Sequence, residues 1–287
     1  MTSAPTPSTL AVDRPDGPRL AARAWTTDAP RGVIVIAHGH GEHGGCYDEF
    51  ARSIVPTARV DVIAFDFRGH GLSLGPRGVL RRYDDLLNDL ETWLGWAARE
   101  RPGLPVFLLG HSNGGLAAIR LLETRRPVVA GLILSNPALR LIAEAPLWKR
   151  LIGLALLRVA PWVTFDTGID SDQLTRAVEG MATIDTDPLR HHRISPPSFF
   201  GMVAAGPLAI EAADRLATPT LLILGGSDSV ADPDAGRAFF DRLGSVDKTL
   251  VVHQSMRHEP LHEVGRDSVI ALISGWINAR IEGRDFG

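Results

Sequence analysis

The chain has 287 residues, 45% of them hydrophobic and 22% charged, which suits a globular protein and excludes a mainly disordered or collagen-like one. Thirty basic residues against 33 acidic ones leave a net charge of −3, so no basic field argues for a nucleic-acid partner. The single cysteine, Cys46, excludes an intramolecular disulfide, and no apolar run approaches the roughly 18 residues of a membrane span.

Residues 1–8 are rich in Thr, Ser and Pro and lack the basic and apolar regions of a signal peptide. They read as a flexible lead-in, and the cytoplasm is the expected location. β-rich runs at 9–14 and 19–26 flank Pro15-Asp16-Gly17-Pro18 and are expected to pair as a hairpin. Further strands are expected over 33–37, 60–65, 106–109, 131–135, 220–224 and 248–253. The middle runs are almost wholly apolar, as strands buried on both faces of a parallel sheet must be. Helical patterns lie between them, at 47–57, 83–100, 112–125, 233–243 and 260–281. In the second of these, Leu86, Leu87, Leu90, Trp93, Leu94 and Ala97 recur near helical period. The alternation predicts an α/β fold with an eight-stranded, mostly parallel sheet flanked by helices.

The alternation breaks once. No strand is expected over 136–217, and apolar residues crowd 146–165. The segment reads as a helical insertion after the sixth strand, leaving 9–135 and 218–287 as the core.

Gly110-His111-Ser112-Asn113-Gly114 matches G-x-S-x-G, preceded by an apolar strand and followed by an Ala- and Leu-rich helix. That context lifts a serine hydroxyl above a sheet on a tight turn. A serine hydroxyl is a weak nucleophile and needs a base, which in turn needs an orienting acid. Asp228 follows the strand at 220–224 and His258 follows the strand at 248–253, so both fall at the carboxyl ends of neighbouring strands, where open α/β sheets place their sites. Asp232 is the rival acid, unless it caps the helix starting at Pro233. His253 is the rival base, although it ends a strand. The oxyanion needs backbone donors. The expected pair is the amide of Asn113 and that of His40, in the Gly-rich loop after the third strand.

Two metal-like patterns compete. His38-x-His40-x-Glu42-His43 resembles the ligand run of binuclear metallohydrolases, and His258-Glu259-x-x-His262 matches H-E-x-x-H. Pro260 is tolerated only in the first turn of a helix, so His258 should lie outside that helix. The first run has no evident partner ligands downstream. The chemistry is therefore expected to need no metal and no cofactor. Asp66, Arg68 and His70 are expected to brace their loop, and His191 and His192 to be exposed. Glu42 is either a polar wall of the substrate site or a loop stabiliser. Trp148, Leu151 and Leu154 are expected to contact an acyl chain or, alternatively, to dock on a bilayer.

His38-Gly39-His40-Gly41-Glu42-His43, Asp66-Phe67-Arg68-Gly69-His70-Gly71-Leu72-Ser73, Gly75-Pro76-Arg77-Gly78 and Gly110-His111-Ser112-Asn113-Gly114-Gly115 together resemble the monoacylglycerol lipase and lysophospholipase branch of the α/β-hydrolases. The resemblance runs from about Leu20 to Ile281. It implies the α/β-hydrolase fold, a helical cap over the serine at 136–217, and hydrolysis of an ester or lipid with one long acyl chain. The aromatic and leucine stretch of the insertion reads as cap core or, alternatively, as a site of transient membrane-surface contact through the cap. Two positions depart from the pattern: Asn113 stands where the family usually has Met, and Cys46 where it usually has Arg. A lysophospholipase or small-ester carboxylesterase shares these motifs. In other classes, a metal-dependent hydrolase and a non-catalytic binding relative remain as alternatives.

Overall fold

A computed structural model describes residues 5–143 and 146–283. Residues 1–4 of the expected lead-in lie outside the described residues. Strands β1 (Ser8–Val12) and β2 (Leu20–Trp25) pair antiparallel across the Pro-Asp-Gly-Pro turn. β3 (Gly32–Ala37), β4 (Val60–Phe65), β5 (Val106–His111) and β6 (Gly131–Ser135) are buried throughout and pair in parallel. Helices α1 (Asp48–Ile54), α2 (Asp84–Glu100) and α3 (Ser112–Thr124) connect them.

The insertion follows β6, with α4 (Leu147–Val159), a two-residue strand β7 (Phe165–Asp166), α5 (Ser171–Leu174), α6 (Val178–Thr186), a two-residue strand β8 (Arg193–Ile194) and α7 (Pro196–Glu211). β9 (Thr220–Gly225), α8 (Pro233–Arg242), β10 (Lys248–His253) and α9 (Arg266–Glu282) complete the chain. The eight-stranded sheet has the order β1-β2-β4-β3-β5-β6-β9-β10. Only the first two strands run antiparallel to their neighbours. Each parallel connection is a crossover, so every βα loop emerges at the same edge of the sheet, where the site forms.

Three expectations change. The insertion is not free of strands, because β7 and β8 pair antiparallel. Two residues per strand are too few to give a periodic pattern. The last helix begins at Arg266, not Pro260; a 3₁₀ turn, Pro260–His262, precedes it, and Gly265 at φ 86° separates the two. Finally, α7 packs as part of the main core. Its Met202, Ala205 and Ala209 join the cluster that holds Leu116, Leu134 and Phe239. The sequence places this stretch in the insertion without marking a layer for it to pack against.

The sheet meets α3 without any spare room. A Cβ on Gly114 would lie 2.2 Å from the Ala37 carbonyl oxygen and 2.4 Å from that of His38. One on Gly110 would lie 2.6 Å from the Gly115 Cα. Gly114→Ala is therefore expected to destabilise by about 3 kcal/mol or more, the upper range for overpacking against backbone. Gly275→Ala, in α9 with open space around its Cα, should instead stabilise by about 0.4–1 kcal/mol. Denaturant unfolding of both variants checks the contrast.

Candidate active site

Ser112 opens α3 directly after β5 and adopts φ 50°, in the left-handed region that an L-residue rarely occupies. This is the strained strand-turn-helix elbow the motif predicts. Its Oγ lies 2.8 Å from His258 Nε2, and His258 Nδ1 lies 2.7 Å from Asp228 Oδ2. The other Asp228 oxygen accepts the amides of Val230 and Ala231 at 2.8 and 3.0 Å, which fixes the carboxylate plane. All three residues are buried. Burial alone would lower the His258 pKa; the Asp228 carboxylate, helped by Glu259 and Glu42, outweighs it, so the imidazole stands above its usual value.

The rivals have other work. Asp232 caps α8 by accepting the Asp234 amide and pairs with Arg140. His253 ends β10 in register with Gly225, and the imidazole bonded to Ser112 Oγ is that of His258. In the first metal-like run, His38 bonds the Gly39 carbonyl through Nδ1 and accepts the Phe67 amide through Nε2. His43 accepts the Gly45 amide and holds Asp187 at 2.7 Å. In the second, His262 bonds Glu259 and the Cys46 carbonyl through its two nitrogens. His258 and His262 share no helix, as Pro260 requires.

The braces behave as expected: Asp66 accepts the amides of Gly44 and Leu72, each at 2.6 Å, and Arg68 grips Asp89 and Asp85. Asn113 occupies the first turn of α3, where amides lack an intrahelical acceptor. Its side chain accepts the Tyr83 hydroxyl at 2.9 Å, so this polar residue is satisfied at the position where Met is usual. Burial pushes the Cys46 thiol up to about 12, which keeps it unreactive.

Ser112, His258, His40 and Glu42 border a cavity of about 360 Å³. Leu174, Ile184, Ile194, Phe199, Met202 and Val230 supply much of its apolar wall. Trp148, Leu151 and Leu154 do not border it. They face outward on α4 with 59%, 58% and 50% of their surfaces exposed. Gly153 is the one buried residue of that helix, and its missing side chain lets α4 approach Phe200. The helix has apolar residues all round, so composition could not say which face turns inward. His191 is half-buried rather than exposed, because its segment lies across the core loops.

Three further residues position the site loops. Asn136, at φ 41°, accepts the Gly225 amide and donates to the carbonyls of Arg257 and His258, tying together the loops of Asp228 and His258. Glu263 is fully buried and accepts the amides of Arg176, Arg257 and Val264. Arg190, from the insertion, reaches Glu259 at 3.0 Å and Glu42 at 3.3 Å. Glu42 in turn accepts the Gly39 amide at 2.6 Å and the Tyr47 hydroxyl at 3.0 Å. Burial works against the Glu259 charge, and the Arg190 guanidinium outweighs it, holding the carboxyl well below its usual range. No local pattern signals such partners; a buried carboxylate pair does, once the fold is known.

Residues 28–265 match the family described as serine aminopeptidase S33. The chain belongs to this α/β-hydrolase family. It is 33% identical to the monoacylglycerol lipase of Mycolicibacterium smegmatis over 91% of this chain and 93% of that one. Identity to the human monoglyceride lipase is also 33%, over 92% and 88% of the two chains. The crystal structure of the Paleococcus ferrophilus monoacylglycerol lipase superposes with a TM-score of 0.82 at 30% identity, covering 91% of this chain and 99% of that one. This α/β-hydrolase is a carboxylic ester hydrolase. Among the described residues, no helix is long and apolar enough to cross a membrane.

Arg190→Leu should strand two buried carboxylates and cost about 3–5 kcal/mol of stability. Arg190→Lys should recover part of it. Equal unfolding free energies for wild type and Arg190→Leu would remove the latch between insertion and core.

Proposed function

We propose that this hydrolase cleaves medium- or long-chain monoesters of the monoacylglycerol type through an acyl-enzyme on Ser112. The supporting observation is the unbroken Ser112–His258–Asp228 hydrogen-bond chain at the wall of an apolar cavity. Ser112 Oγ attacks the ester carbonyl while His258 Nε2 takes its proton and then delivers it to the leaving alcohol. Asp228 holds the Nδ1–H and stabilises the imidazolium. The amides of His40 and Asn113 receive the oxyanion. Water, deprotonated by His258, releases the acid. In this reading residues 136–217 form the cap, and its inner face, together with Met202 and Val230, receives the acyl chain.

The outer face of the cap supports a second contact. Leu147, Trp148, Leu151, Ile152, Leu154 and Trp162 are exposed, Lys149 Nζ lies 5.7 Å from the centroid of the Trp148 ring and Arg158 stands in the last turn of α4. Apolar residues flanked by cations suit an interfacial helix on an anionic lipid surface. The cap would then face the membrane while the ester enters from it.

Ser112→Ala should lower kcat/KM on the order of 10⁴-fold or more, with His258→Ala nearly as damaging, since such groups act as a unit. A serine-directed organophosphonate should label wild type and not Ser112→Ala. Full turnover by Ser112→Ala would end the proposal.

The base works only when neutral, so kcat/KM should fall as pH drops through the raised His258 pKa. Asp228→Asn removes the chief raising influence. Its acidic limb should move to lower pH while the plateau drops. An unmoved limb would assign the orienting role elsewhere.

Burying a methylene contributes about 0.8 kcal/mol, up to about fourfold in kcat/KM per carbon until the cavity is full. A panel of p-nitrophenyl esters should show that climb, and Ile184→Asn or Leu174→Asn should flatten it. Trp148→Glu with Leu151→Glu should weaken liposome flotation and leave the soluble-ester profile unchanged. A preference for acetate esters without liposome binding would instead indicate a small-ester hydrolase.

A further inference from the structure

Three histidines meet at the edge of the cavity and take no part in the hydrolytic chemistry proposed above through their side chains. His40 lies in the loop after β3, His70 in the loop after β4, and His191 just before β8. Ring centroids are 5.4 Å apart for His40 and His70, 5.7 Å for His40 and His191, and 4.5 Å for His70 and His191. One nitrogen from each ring lies within 4.8 Å of the other two.

The hydrogen bonds determine which nitrogens are available. His70 Nδ1 faces the Arg68 carbonyl at 3.0 Å, and a carbonyl only accepts, so the proton sits on Nδ1. The lone pair is then on Nε2, which is buried and has no hydrogen-bond partner. His40 Nε2 likewise donates to the Arg193 carbonyl at 2.9 Å, leaving a lone pair on Nδ1. His191 Nε2 is also buried and unpartnered. Its Nδ1 accepts the Arg193 amide at 3.3 Å, the longest bond of the set and the one that must yield for Nε2 to carry a lone pair. A buried nitrogen without a partner is costly, and His70 Nε2 stands without one, whereas the His191 ring has the Gly69 backbone beside it.

We infer that His40, His70 and His191 form a binding site for a divalent transition-metal ion of the zinc type, which clamps the insertion to two core loops. Imidazole nitrogens suit such ions, with zinc–nitrogen distances of about 2.0–2.1 Å. Metal binding needs neutral rings. The approach is open, because His40 and His191 border the cavity. The second shell is already present in the Arg68 and Arg193 carbonyls, which orient His70 and His40. The segment carrying His191 is also tied down without a metal, through its amide to the Gly41 carbonyl at 3.1 Å. The ion would add a clamp to contacts that already exist. This inference does not depend on the ester chosen or on the role of Ser112.

The test is calorimetric titration of the chelator-stripped full chain with zinc chloride, with cobalt(II) as a spectroscopic probe. Expected are one ion per chain, visible cobalt bands of a nitrogen-rich tetrahedral site, and a melting temperature that zinc raises. His70→Phe and His191→Asn should each weaken binding by more than the roughly 10–100-fold that loss of an outer-shell partner costs. Both should abolish the cobalt bands. His192→Asn, next in sequence but fully outside the triangle, should bind as wild type. If His70→Phe fails to fold, His191→Asn at the cavity edge carries the test alone, with its metal-free melting temperature as the folding control. Absence of zinc binding in wild type would overturn the inference. So would unchanged binding in His191→Asn, which would put the ion on other groups such as His258.

Discussion

The left-handed backbone at Ser112 constrains everything around it. An L-residue at φ 50° is costly, and it persists only where neighbouring structure leaves no alternative. Here Gly110 and Gly114 let β5, α3 and the end of β3 close on one another at distances that no Cβ permits. The loop after β3 also comes close: a Cβ on Gly39 would lie 3.2 Å from the Ser112 Cβ.

The groups opposite Ser112 are held with equal care but by different means. β9 and β10 run in parallel register, so their following loops leave the sheet side by side. Parallel register alone does not set side-chain geometry to tenths of an ångström. Asn136 supplies that by bonding both loops at once, and Glu263 anchors the far side of the His258 turn through three amides. Each of these polar side chains is buried and satisfied, the condition under which a polar network rigidifies its surroundings.

The insertion is more than a cover. Arg190 places a buried positive charge between Glu42 and Glu259, and Glu42 holds the Gly39 amide one residue before His40. Displacing the insertion would separate Arg190 from both carboxylates, and breaking a buried ion pair is strongly destabilising. Its inner and outer faces are chemically alike, but only the inner one is packed. The outer apolar residues of α4 are left to solvent or to a surface that covers them.

Sequence alone determined the architecture, because buried parallel strands and amphipathic helices leave periodic marks that need no knowledge of partners. The strands over 60–65, 131–135 and 248–253 match the structure residue for residue. The trio Ser112, Asp228 and His258 was also legible, since each follows a strand and the order along the chain mirrors the order across the sheet. What tertiary structure decided was anything that depends on which face of an element turns inward or on a partner distant in sequence. The face of α4, the core packing of α7, the partners of Asn136 and Arg190, and the meeting of His40, His70 and His191 belong to that class. A helix apolar all round has no phase to read, and a single buried polar residue has no period. Their positions follow from the balance of charge and space in the folded chain, which local sequence does not encode.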